Sequence, residues 1–183
     1  MNRRQASGNI AALMGAMLIS PAIFEACKKA EKDPLKGVIL NDEQIVFLDE
    51  LSDTMIPDTS DSPGAKAAGN GKEMATIIKN CYKAEDGEAF IALLNEFNGL
   101  SRKEFGKDFI GLSHEEKIKV ITPKDRSKEE AYVKLKELAV FVYFTSEIGM
   151  NKALRYLEVP GKYDGSAEYK AGDKAWAWSF FSY

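Results

Sequence analysis

Between Asn41 and Gly149 apolar residues return at helical spacing in one segment after another, and nowhere do they alternate with polar residues over the length of a strand. A chain patterned this way buries its apolar faces by packing helix on helix, so the expected fold class is mainly α, a single compact helical domain. With 183 residues, 45% of them hydrophobic, there is material for one core and too little for two.

Cap residues mark where these helices start and stop. Asn41, with Gln44 three positions on, forms a capping box ahead of a stripe of Ile45, Leu48, Leu51 and Met55. A second stripe, Met74, Ile77, Ile78 and Cys81, puts the Cys81 thiol on a buried face as a packed structural group. A third, Phe90, Leu93, Leu94 and Phe97, is stopped by Gly99. Ser113 with Glu116 opens a short helix that carries Ile118 and Ile121 and is closed by Pro123. Ser127 with Glu130 opens the longest, which has Tyr132, Leu135, Leu138, Ala139 and Val142 on one face and ends at Gly149.

Both ends of the chain depart from this pattern. A basic start, an apolar stretch over residues 10–19 and a small residue before Cys27 describe a signal peptide over 1–26, since a spanning helix needs roughly 20 apolar residues. The paired Arg3 and Arg4 favour the twin-arginine route, which exports folded cargo, over the general secretory one. Cys27 is the candidate for lipidation, with polar residues following it as a tether over 27–40 and the helical domain over 41–183. The expected location is then periplasmic, anchored in the membrane by lipid at Cys27; the alternative is cleavage elsewhere and a plain thiol. Once Cys27 is lipidated, Cys81 is the one thiol left, so the domain is held by its core and not by an internal disulfide. At the other end, residues 159–183 lack periodicity yet crowd together Tyr163, Tyr169, Trp176, Trp178, Phe180, Phe181 and Tyr183. Such an irregular, aromatic-rich tail either wraps its own helices or covers another protein.

The loop DTMIPDTSDSPGAKAAG, Asp53 to Gly69, is the stretch that asks for a function. An EF-hand starting at Asp58 fails, because its sixth position is Pro63 where glycine is needed and its twelfth is Gly69 where a bidentate Glu is needed. A P-loop from Gly64 to Gly69 fails at Asn70, which stands where the phosphate-binding Lys belongs. A dinucleotide fingerprint fails because the third glycine position is Met74 and a helix precedes the motif. What the residues do satisfy is a backbone argument: Pro57 ends a helix, Ser62 caps a new turn, Pro63 sits at its first position, and Gly69 terminates it with positive φ. The small Gly64 and Ala65 then leave a surface that a partner's backbone can approach closely.

Two segments carry a resemblance. Asp53-Thr54, Ile56-Pro57, Asp61, Pro63-Gly64-Ala65-Lys66 and Gly69 form one; Glu147, Gly149, Tyr156, Pro160-Gly161, Tyr163 and Gly165 form the other. Together they resemble the gluconate 2-dehydrogenase subunit 3 family over about residues 42 to 178. The resemblance implies the small subunit of an exported sugar or sugar-acid dehydrogenase. Its FAD sits in a large partner subunit, a cytochrome c subunit often takes the electrons, and the small subunit's signal exports the folded flavoprotein. Interface candidates on this basis are Asp53, Pro57, Asp61, Pro63, Gly64, Ala65, Gly69, Pro160, Gly161, Tyr163, Trp176 and Trp178.

The chain's own residues argue for no cofactor of its own. It lacks the strand-plus-glycine fingerprint for FAD and, with two cysteines and no C-x-x-C-H, cannot attach a c-type haem. His114, the one histidine, falls in a capping box at a helix start, an exposed position and not that of a general base. Asp53, Asp58 and Asp61 could pair as catalytic carboxylates, but aspartates are common in caps and turns. A net charge of -3 with scattered lysines gives no basic surface for nucleic acid. The competing functional class is a free-standing lipoprotein that binds some other protein.

Overall fold

The computed structural model describes residues 37–157, 161, 166, 168 and 170–177. Five α-helices make the body: α1 Asp42–Met55, α2 Asn70–Cys81, α3 Ala84–Phe105, α4 His114–Ser127 and α5 Glu130–Thr145. A 3-10 turn, Phe109–Gly111, joins α3 to α4, and a single π-turn, Gly149–Ala153, follows α5. No strand occurs among the described residues, so the mainly helical expectation holds; one isolated parallel bridge pairs Arg155 with Trp176. No described helix is long and apolar enough to cross a membrane.

α1 opens on the expected capping box: the Gln44 amide donates to Asn41 Oδ1 at 2.8 Å, and the Asn41 amide donates to Gln44 Oε1 at 2.9 Å. Its buried face is Phe47, Leu48 and Leu51, with Ile45 and Met55 packed at the margin. The core assembles around aromatic rings. Phe109 stacks on Phe47 at 4.7 Å and on Phe97 at 6.1 Å, and Phe97 meets Tyr132 edge-on at 6.1 Å. All four are almost wholly buried, and each buried ring of this size contributes about 2–3 kcal/mol. The α5 stripe of Tyr132, Leu135, Leu138, Ala139 and Val142 is buried as its spacing predicts.

Several helix ends differ from the sequence expectation, each for a physical reason. α3 runs through Gly99, which is exposed and surrounded by open space, and stops at Gly106, whose φ of 69° and N–H to the Arg102 carbonyl make the left-handed cap. α4 likewise runs through Pro123. The exposed Pro123 ring removes one backbone donor, but Lys124 beyond it bridges to Glu96 of α3 at 2.8 Å and to Glu129 ahead of α5 at 2.5 Å, which holds the last turn in place. Ser127 therefore does not open α5. It is the last residue of α4, and its hydroxyl donates back to the Lys124 carbonyl. Lys128 turns the chain at φ 52°, and Glu129 precedes α5 without a side-chain cap. α5 ends at Thr145, before Gly149, which is buried and starts the π-turn.

Cys81 is exposed, not packed. It is the final residue of α2, where the stripe has turned away from the core, and Tyr82 packs there instead, edge-on to Phe90 at 5.3 Å. The end of the expected tether also belongs to the fold. Leu40 is buried in the core, and the Gly37 amide donates to the Lys79 carbonyl, so close to α2 that a Cβ at position 37 would overlap its backbone.

One ion pair is drawn into the packing. Glu50 of α1 accepts from Lys117 of α4 at 2.6 Å and from Lys66 of the α1–α2 loop, and the Lys117 ammonium lies 5.9 Å from the centre of the Phe109 ring. Burial acts to raise the Glu50 carboxyl, but the hydrogen bonds and charges of Lys117 and Lys66 outweigh it and hold the group below its usual value.

Two outcomes follow. A carboxyl depressed in the folded state stabilises fully above its unfolded pKa, and that contribution fades as pH falls through the folded value. Glu50→Gln is therefore expected to cost roughly 1–3 kcal/mol near neutral pH, between exposed and buried pairs, and much less at about pH 3. Urea denaturation at both pH values measures this, and an equal loss at each would remove the ionic account. Separately, Gly99→Ala is expected to raise stability by about 0.5–1 kcal/mol, because mid-helix glycine has no conformational task there; a loss of stability would show that Gly99 is needed after all.

Candidate functional site

The α1–α2 loop is built as two nested turns. Ile56 closes α1 by donating to the Ser52 carbonyl at 2.8 Å, and Pro57 then prevents continuation. A tight turn follows, in which the Thr59 amide donates to the Ser62 carbonyl at 2.9 Å, while the Thr59 hydroxyl donates to Asp61 Oδ1 at 2.9 Å. The chain then doubles back. The Gly64 amide donates to Asp58 Oδ1, and the Ala65 amide to the Ile56 carbonyl at 2.9 Å. From Ala65 one helical turn forms and closes with the Gly69 amide on Lys66 at 3.0 Å and the Asn70 amide on Ala65 at 3.2 Å, with Gly69 at φ 70°. That pair of bonds is a Schellman closure, so Gly69 supplies the positive φ expected of it and leads directly into α2.

Side chains from far along the chain fix the outside of the loop. Tyr143 of α5, 2% exposed, donates its hydroxyl to the Pro63 carbonyl at 2.6 Å and lies 2.8 Å from Ser62 Oγ. Ser62 is thus a tie to α5 and not the expected cap of a new turn. Lys174 donates to the Asp61 carbonyl at 3.1 Å and to the carbonyl of Lys152, with its ammonium 4.0 Å from Asp61 Oδ2. The Thr59 hydroxyl first, then the residue's own backbone and Lys174, hold the Asp61 carboxyl below its usual value.

This geometry sorts the residues expected at an interface. Gly64 and Ala65 are buried inside this chain, with Ala65 fully covered. A Cβ at Gly64 would stand 2.7 Å from the Asp58 nitrogen and 2.8 Å from the Ile56 oxygen. The backbone that comes close to Gly64 is therefore the protein's own, which corrects the expectation of a partner in that space. Pro57 and Asp61 are exposed, and Asp53, Pro63 and Gly69 partly so. Gly161 is exposed, and Trp176 is exposed with the Arg155 guanidinium 3.8 Å from its ring centre. Arg3, Arg4, Cys27, Pro160, Tyr163 and Trp178 lie outside the described residues.

The three aspartates do not converge as an acid–base pair: Asp58 serves the Gly64 amide, Asp61 serves Thr59 and Lys174, and Asp53 sits on the last turn of α1. His114 is an exposed first-turn residue of α4, as its capping box predicts. Among the described residues no group of three or more His, Cys, Asp and Glu is placed to hold a metal ion. Sequence reasoning missed Tyr143, Arg155 and Lys174. Tyr143 adjoins the recognised α5 stripe, but its partners are 80 and 81 residues away, and no local pattern announces them.

Because the space at Gly64 is filled by backbone, any side chain there must displace it. Gly64→Ala and Gly64→Leu are expected to destabilise the isolated chain by roughly 3 kcal/mol or more, read as a fall in melting temperature. An unchanged melting temperature would return Gly64 to an outward role.

Comparison with known proteins agrees with the two motifs. The model of the family described as gluconate 2-dehydrogenase subunit 3 matches residues 42–161, from the first residue of α1 to beyond the π-turn. Neither the curated proteins nor the solved structures gave a match. A match over this much of the chain, taking in every described helix and the whole loop, places the protein in the gluconate 2-dehydrogenase subunit 3 family.

Proposed function

We propose that this chain is the non-catalytic small subunit of an exported, FAD-dependent dehydrogenase acting on a sugar or sugar acid of the gluconate type. The observation that carries this is the family match across residues 42–161. In this reading the large partner subunit holds the FAD and performs the oxidation, and a cytochrome c subunit accepts the electrons. The small subunit binds the flavoprotein and lends it the twin-arginine signal at Arg3 and Arg4. Lipid at Cys27 keeps the complex at the periplasmic face of the membrane.

The architecture suits such a role. A stiff helical body with a loop tied at Asp58, Tyr143 and Lys174 offers a fixed surface, and a rigid surface loses little freedom on association. The free-standing lipoprotein differs from this reading in one observable, the flavin.

Coexpression with the FAD-binding large subunit of such a dehydrogenase tests the proposal. The expected result is a copurifying complex with flavin absorbance and dehydrogenase activity, whereas the small chain alone is colourless and inactive. Replacing Arg3 and Arg4 together by Lys is expected to leave both chains in the cytoplasm. A flavoprotein that is exported regardless would remove the escort role, and sugar oxidation by the purified small chain alone would overturn its non-catalytic assignment.

A further inference from the structure

We propose that Arg155, lying over the ring of the exposed Trp176, is a receiving site for a carboxylate side chain of the flavoprotein. The proposal rests on the reading of this chain as a subunit of a flavoprotein complex, and it adds the surface used and the chemistry met there.

The main chain fixes the site. The Arg155 amide donates to the Ala175 carbonyl at 2.9 Å, and the Ala177 amide donates to the Arg155 carbonyl at 2.8 Å, so the segment after the π-turn and the segment carrying Trp176 run side by side. Across this bridge the guanidinium carbon lies 3.8 Å from the indole centre. A cation–π contact at that distance restrains the guanidinium and reduces the ordering cost of a two-pronged contact.

Among the described residues the guanidinium lacks the partner its chemistry calls for. Among the described residues no carboxylate pairs with Arg155, whereas Arg102, Lys66, Lys117, Lys124, Lys134, Lys136 and Lys174 each have one. Arg155 Nε is buried and makes no hydrogen bond, so a partner's carboxylate would meet the two terminal Nη groups and not Nε. A guanidinium with five donors and a planar fork matches a carboxylate better than any other side chain. Local charge favours the same occupant: Lys174 bonds the carbonyl of Lys152 close by, and the nearby Asp61 is already engaged by Thr59 and Lys174.

The surroundings fit a protein surface. Trp176, in contact with Arg155, is 54% exposed, and the next two residues along the chain, Tyr156 and Leu157, are 46% and 50% exposed. Trp, Tyr and Arg together are the residues that most often dominate binding energy at protein interfaces. An acid seated on Arg155 beside the Trp176 ring would be attracted in a partly dehydrated setting, where charge counts for more than in open water.

The test uses the full chain with its coexpressed flavoprotein. Arg155→Glu is expected to weaken the complex about 30-fold or more, and Trp176→Ala by about 10-fold. Because the bridge uses main-chain atoms alone, melting temperatures near that of the unaltered protein are expected. The direct readout is chemical: in Arg155→Lys, zero-length carbodiimide coupling is expected to join position 155 by an amide bond to an Asp or Glu of the flavoprotein, mapped by mass spectrometry. A complex that forms equally well with Arg155→Glu, or that yields no such cross-link, overturns this site and leaves the subunit reading standing. An unaltered chain that does not bind the flavoprotein overturns the subunit reading itself, and the site with it.

Discussion

The carboxylate of Asp49 holds α1 and α2 together at a close crossing. α2 begins after Gly69, which has no side chain to cap it, and the free amide of Gly71 donates instead to Asp49 Oδ1 at 2.6 Å, across the crossing with α1. A charged acceptor at a helix N-terminus contributes about 1 kcal/mol through the free amides and the helix dipole. It works only because position 71 is glycine, since a Cβ there would stand 2.7 Å from Asp49 Cγ and 2.8 Å from its nitrogen. The neighbouring Asn70 is fully buried and donates to the Ala139 carbonyl at 2.9 Å, and Ser52 reaches Met74 Sδ at 3.2 Å. Three helices are thereby fixed within one turn of each other, and the loop between α1 and α2 has both of its ends set before its own residues are considered.

That order of causes explains what could be read from the sequence and what could not. The boxes Asn41/Gln44 and Ser113/Glu116 and the α5 stripe were legible because each is satisfied within a few residues. Gly69 was legible for the same reason, since its φ closes a turn whose bonds are all local. The errors at Gly99, Pro123 and Ser127 share one origin. Each residue has a local preference for ending or starting a helix, and each was overruled by packing or ion pairs from other elements, as with Lys124 and its two glutamates. Cys81 fits an apolar stripe by spacing, but a spacing does not say where a helix leaves the core. Asp49, Tyr143, Arg155 and Lys174 act across 22 residues or more, or across a bridge between separate segments, and no window of sequence contains both partners.

The family signature acquires a particular meaning in this light. The residues that make the loop recognisable, Ile56, Asp61, Gly64, Ala65 and Gly69, are largely occupied in folding it. Their chemistry is spent on amides, carbonyls and close backbone approach inside the chain. A motif of this kind identifies a scaffold, and the surface a scaffold offers to others need not coincide with it. The contrast with Arg155 is instructive: beside the exposed Trp176 ring, and with no carboxylate pairing it among the described residues, its chemistry is not spent inside the fold.

The contact between Lys174 and Asp61 spans 113 residues, whereas the helical body is joined by short connections. The clasp presupposes the body, because the loop carrying Asp61 is itself held by Tyr143 of α5. The same late segment carries Trp176 onto Arg155. A chain truncated before residue 170 would thus own every described helix but neither the clasp nor the contact of Arg155 with Trp176. The fold in this way makes that pair depend on the finished loop, since one segment supplies both Lys174 and Trp176.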